Sequence, residues 1–135
     1  MPIFDSIGIA QSGVAVYRKW LDAVSDNIAN MNDAVATNAD AFQARYIVAR
    51  AADYGSGTEG VQVGGAVLSG KTDGRIVNEP TNPLADEDGN VKYPDIDLGD
   101  QMGQLIMAQR GYQAYLAVVD RAKDAYQSAL QLGKG

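Results

Sequence analysis

The sequence predicts an α+β fold in which long N- and C-terminal helices pack as a coiled-coil-like pair with a small β-rich insertion between them. Three observations predict it. Apolar residues recur in steps of four and three from Ile3 to Met31; the same rhythm returns from Leu98 to Leu130; and the stretch between them changes to short, nearly alternating runs broken by glycine, proline and asparagine. At 135 residues the chain suffices for one domain burying roughly two-thirds of its unfolded surface, and is too short for two ordinary ones.

The first helix is expected over 1–31. Ile7, Val14, Leu21 and Ile28 fall at the a positions of a heptad seam, and Ala10, Tyr17, Val24 and Met31 at the d positions. A second apolar line, Ile9, Val16 and Ala23, runs beside the first together with Trp20. A helix that is apolar on two sides needs two neighbours. The pattern then dissolves into "DNIANMND", where Asn27, Asn30 and Asn32 carry side-chain amides suited to ending a helix and fixing the turn that follows.

Residues 32–41, "NDAVATNADA", read as a linker, and 42–96 as the β-rich middle. Within that middle, "FQARYIVAR" (42–50) and "GVQVGGAVL" (60–68) mix β-branched residues with near-alternation and read as strands. Two further short strands are expected at 75–78 and 90–93, joined through a Pro-containing loop with an Asp88-Gly89 turn.

The last helix is expected over 97–135. Asp97 is its N-cap, Asp100 lies in its first turn, and Gly133 with Lys134 stands where a C-terminal stop belongs. Its seam runs through Leu98, Met102, Leu105, Tyr112, Leu116, Val119, Tyr126 and Leu130. Gln109 and Lys123 interrupt it at a positions, where polar residues fix register at some cost in stability. Ala108, Tyr115, Ala122 and Ala129 line a further flank.

Composition narrows function. The chain has no histidine and no cysteine, so it lacks an imidazole base, a thiol nucleophile, the usual zinc ligands and any disulfide. Enzymes are disfavoured on that ground. A net charge of −6, from 17 acidic and 11 basic residues, argues against nucleic acid as a partner, since phosphate binding needs clustered Lys and Arg. No stretch approaches the ~20 apolar residues of a membrane span. The start "MPIFDSIGIAQSGVAV" has neither a basic n-region nor a sustained apolar core, which points to a cytoplasmic chain or one exported without a cleaved signal.

Three apparent motifs have plainer explanations. "GSGTEG" (55–60) fits G-x-G-x-x-G, but a dinucleotide site needs a helix N-terminus after it, and "VQVGGAVL" is strand-like, so a hairpin loop is expected. "LADEDGNVKYPD" has acidic residues at suggestive intervals. Setting Gly89 at the sixth position of a calcium loop puts Leu84 at the first ligand position, so a solvated acidic turn is expected. The carboxylate pairs Asp86/Asp88 and Asp95/Asp97 could serve acid–base hydrolysis only if they converged in a cleft. Trp20 and the helix tyrosines read as packing residues, and no cofactor is inferred.

The stretch "LDAVSDNIANMND" resembles the L-x-x-x-S-x-N-I-A-N segment near the start of bacterial flagellar axial proteins, with Leu21, Ser25, Asn27, Ile28, Ala29 and Asn30 matching. The second half is similar to the rod proteins of the basal body. It carries Asn82-Pro83-Leu84-Ala85-Asp86, Gly89, Val91, Pro94, Asp97, Met102, Tyr112-Gln113-Ala114 and Leu132-Gly133. The resemblance implies a non-enzymatic subunit of the proximal rod, sent through the flagellar type III export apparatus and polymerised in the periplasm. It implies as partners other copies of the chain, other rod proteins, the export apparatus, the inner-membrane-side connector and the surrounding rings. It further implies that the interfaces between subunits are made by the helix seams and that Asn27 and Asn30 bond to adjacent chains. On this reading the terminal helices lack partners before assembly and fold on incorporation. The rival readings are a cytoplasmic coiled-coil oligomer or adaptor with a β-rich binding insert, and a small hydrolase using Asp and Glu.

Overall fold

The computed structural model of the chain describes residues 2–55, 59–69 and 72–133. Among them six elements follow one another: α1 (Pro2–Asn30), β1 (Ala44–Asp53), β2 (Glu59–Ser69), β3 (Arg75–Asn78), β4 (Asn90–Tyr93) and α2 (Leu98–Leu132). The α+β architecture is the expected one. The two long helices pack against each other, and the strands between them pair as β1 with β2 and β3 with β4. β3 and β4 fall on the segments expected for them. β1 starts two residues later than the alternation suggested and runs three further, to Asp53.

The helix ends have identifiable causes. Asn30 Nδ2 donates to the Asp26 carbonyl (2.8 Å), and its own carbonyl accepts from the Asp33 N–H (3.1 Å). The asparagine thus draws the last turn into a non-helical bend, as short amide side chains do. α2 begins at the expected cap: Asp97 Oδ1 accepts from the Asp100 N–H at 2.7 Å. At the other end the Gly133 N–H still bonds to the Ala129 carbonyl (3.1 Å), and the expected stop at Lys134 lies outside the described residues. So do residues 56–58 of the glycine-rich stretch; the element that follows it is the strand β2.

The chain forms two compact units. One gathers Met1–Leu21, Ile47–Gly65 and Ile106–Gly135. In it α1 and α2 run antiparallel, because their ring contacts pair rising numbers on one with falling numbers on the other. Phe4 meets Tyr126 edge-on (5.2 Å between centroids), Tyr115 lies over Gly13, and Tyr17 lies over Gly111. Each glycine leaves the space its ring fills, so the exchange is reciprocal. The two rings are themselves 5.5 Å apart, and Tyr17 also stacks on Trp20 at 5.7 Å.

Part of the second apolar line of α1, Val16 with Trp20 beside it, finds its neighbour inside this unit, whereas Ile9 is exposed. Val16 and Trp20 line a cleft of about 260 Å3 together with Tyr17, Ile47, Ala49, Val61 and Tyr115. Ser12 Oγ ties helix to strand, accepting from the Val61 N–H (3.1 Å) while donating to the Ile9 carbonyl (2.6 Å). α1 is therefore flanked by α2 and by the β1–β2 sheet.

The other unit gathers Asp22–Tyr46 and Ala66–Leu105. β3 and β4 are antiparallel, with Arg75 opposite Tyr93 and Asn78 opposite Asn90. The segment after α1 joins them: Val35 and Lys92 exchange both backbone hydrogen bonds (2.8 and 2.9 Å). Lys92 Nζ donates to the Ala39 carbonyl (2.7 Å), and the Ala41 N–H bonds to the Thr72 carbonyl (2.9 Å). Residues expected to be a linker are thus stitched along β4.

The β3–β4 loop is closed by its own polar groups. Asn78 Nδ2 donates to the Asp88 and Gly89 carbonyls, and Tyr93 O–H donates to both Glu79 oxygens (3.1 Å each). Gly89 has φ +79°, and a Cβ there would meet Pro80, so the turn requires glycine.

Candidate functional site

The distribution of apolar side chains is unusual for a folded chain. Among the described residues the buried apolar positions are six alanines, three valines and Pro94, so the interior is filled by small groups. The large apolar residues lie at least partly outside: Met102, Ile106, Met107, Leu116, Val118, Leu130 and Leu132 of α2 are all exposed, as are Phe4 and Ile9 of α1. A run of this kind along one helix marks a surface that buries against something else.

The seam residues divide accordingly. Val24 is buried; Ile7, Val14, Tyr17, Leu21, Ile28 and Asn30 on α1 are half-buried, as are Leu105, Tyr112, Val119 and Tyr126 on α2. Met102 (43%), Leu116 (38%) and Leu130 (49%) are exposed. The face of α2 that meets α1 includes the expected flank, where Ala108 is fully buried and Tyr115 sits on Gly13. The heptad reading scored apolarity; the packing selects size, because small residues let two backbones approach closely. Gly13 and Gly111 were not singled out, although a glycine inside a helical rhythm is itself a sign of close packing.

Asn27 departs from its expected role. Its side chain is fully buried and is committed within the chain. Oδ1 accepts from the Arg45 N–H (2.8 Å), while Nδ2 donates to the Arg45 carbonyl (3.0 Å) and to Gln101 Oε1 (2.9 Å). Those three bonds fix the amide's orientation, since a flip would set like groups against each other. The amide that was expected to reach an adjacent chain instead pins the first residues of β1 and the first turn of α2. Gln101, 1% exposed, completes the node by donating from Nε2 towards the Tyr46 hydroxyl (3.4 Å). Nothing in the sequence singled out Gln101 or Arg45.

The acidic turn is organised by Asp86. Its Oδ1 accepts from the N–H groups of Asp88 (3.0 Å) and Asn90 (2.8 Å), and Oδ2 accepts from the Thr37 hydroxyl (3.0 Å). The bond from Asn90, the largest influence, and those from Thr37 and Asp88 hold its carboxyl below the usual carboxylate range, against a smaller desolvation effect. The Tyr93 hydroxyl is pushed up, first by its bond to Glu79 and then by desolvation and the charge of Glu79. Both carboxylates spend their oxygens on donors of the chain itself. Among the described residues no group of three or more metal-ligating side chains converges, and no helix is long and apolar enough to cross a membrane.

A helix pair with a small-residue interior and large apolar side chains left exposed along α2 suits a subunit that packs against further chains. In agreement, the family described as "Flagellar basal body rod FlgEFG protein C-terminal" matches residues 87–132, which include all of α2. The class is therefore that of the flagellar rod proteins. The flagellar basal-body rod protein FlgC of Salmonella typhimurium is 32% identical over 135 residues, covering 99% of this chain and 100% of its own. That of Agrobacterium fabrum is 34% identical over 137 residues (98% and 96%), and that of Bacillus subtilis 25% identical over 151 residues (99% and 100%). The chain belongs to the FlgC family of flagellar basal-body rod proteins.

Proposed function

We propose that the chain is a structural subunit of the proximal part of the flagellar rod and works by assembly, with no catalytic role. In this reading 1–31 and 97–135 are the axial helices, 32–41 connects the first of them to the middle, and 42–96 is the β-rich middle facing other components. Many copies of the helix pair, with those of other rod proteins, repeat helically to make a stiff shaft that transmits torque. A contact that does not close on itself generates such a filament. The chain reaches the periplasm through the flagellar export apparatus without a cleaved signal and meets the inner-membrane-side connector and the rings there.

One observation carries the proposal: the interior is alanine and valine while the large apolar residues of α2 stand outside. Met102, Leu105, Tyr112, Leu116, Val119, Tyr126 and Leu130 on α2, with Ile7, Val14, Tyr17, Leu21, Ile28 and Asn30 on α1, are assigned to contacts that include neighbouring chains, while the buried Val24 supports them from inside the subunit. The test is cryo-electron microscopy of basal bodies purified from the source cells, with this chain labelled in its β-rich middle. Label density on the proximal rod supports the assignment. A rod that forms without the label, with the chain recovered as a closed soluble oligomer, would favour the cytoplasmic adaptor instead.

A further inference from the structure

Among the described residues three polar side chains are buried, and two of them, Asn27 and Gln101, face each other across the helix pair at 2.9 Å. One turn before Asn27 on α1 stand the buried Ala23 and Val24, apolar groups that by themselves select no register. If α2 slid by one turn, about 5.4 Å, Asn27 would face Leu105 or Asp97. With Leu105 opposite, one amide N–H would lie in an apolar seam without an acceptor, an arrangement buried polar groups avoid. Arg45 adds a third constraint. The same Asn27 amide is clamped to both backbone groups of that residue, so it cannot turn to follow a displaced partner.

We propose that the Asn27–Gln101 pair is a register lock, which holds the end of α1 and the start of α2 in a single antiparallel register and fixes the first residues of β1 to that register. The device resembles the polar residue at an interior coiled-coil position, where one buried amide selects an alignment that apolar neighbours leave open. It makes Asn27 a positioning residue within the subunit, whose effect on assembly passes through the geometry of its own helix pair.

The test uses the full chain labelled with 15N. Gln101→Leu keeps the size and the Asn27–Arg45 bonds but removes the acceptor. The lock requires Gln101→Leu to retain helical circular dichroism while the amide cross-peaks of residues 22–30 and 98–105 double or broaden. A single sharp set in Gln101→Leu, with the nuclear Overhauser contacts of Val24 unchanged, overturns it. Should Gln101→Leu fail to fold, the unaltered chain decides. The two Asn27 Nδ2 protons must then exchange as slowly as the adjoining helix amides, and exchange at the rate of an exposed asparagine overturns the proposal.

Discussion

Asn27 joins three segments of the chain, the end of α1, the start of β1 and the first turn of α2, through one side chain. Asn27→Ala strands Gln101 Oε1 in a buried place and removes the partner of the Arg45 N–H and carbonyl, which are part-buried. Each orphaned group costs on the order of 1–3 kcal/mol, so denaturant unfolding should show a loss of about 3 kcal/mol with an unchanged slope. Asn30→Ala removes one exposed bond to Asp26 and should cost no more than about 0.5 kcal/mol. The sequence displayed both asparagines alike, in one motif. Their different roles were not legible, because which amide turns inward depends on Arg45 and Gln101, far away along the chain. Asp86 supplies a pH dependence. Its folded carboxyl titrates lower than in the unfolded chain, so its contribution is complete above the unfolded pKa and is lost as pH falls through the folded one. The amide resonances of Asp88 and Asn90 should therefore shift below about pH 4, and the transition should vanish in Asp86→Asn.

The helices show how far an apolar rhythm can be read. Steps of four and three located both helices, and the Asp97 cap fixed the start of α2 to the residue. The β-branched runs at 75–78 and 90–93 marked β3 and β4. The rhythm could not tell which face of α2 meets α1, because it records apolarity, while close approach is decided by the volumes at Gly13, Ala108 and Gly111. Two glycines of α2 make the point testable. At Gly103 an added Cβ meets nothing within 4 Å, so Gly103→Ala should gain up to about 1 kcal/mol from helix propensity. At Gly111 the Cβ would collide with the Tyr17 ring, which Trp20 and Tyr115 hold from other sides. Gly111→Ala should therefore reverse the sign and lower the melting temperature, as overpacking does. Thermal unfolding of the pair of variants reads both effects.

For the whole molecule, an interior of alanine and valine leaves little apolar burial to oppose the entropy of ordering two long helices. The isolated chain should accordingly be only marginally stable, and the amides of 3–31 should gain protection when it enters a rod, which hydrogen-exchange mass spectrometry can follow. The outer face of α2 can be altered separately. Leu116→Asp, at a residue 38% exposed, should change the stability of the isolated chain by about 1 kcal/mol or less. Swimming in soft agar, and recovery of the chain in purified basal bodies, should nevertheless be lost; normal motility would remove this face from the assembly. The division of the chain into units bears on how it travels. One unit needs Ile106–Gly135 to complete it and the other needs residues up to Leu105, so neither can close while only the front of the chain is available. A polypeptide passed end-first through a narrow conduit, as the proposed export route requires, would thus stay an open thread for most of its passage. Its knot of contacts would be tied only on arrival, beside the copies it is to join.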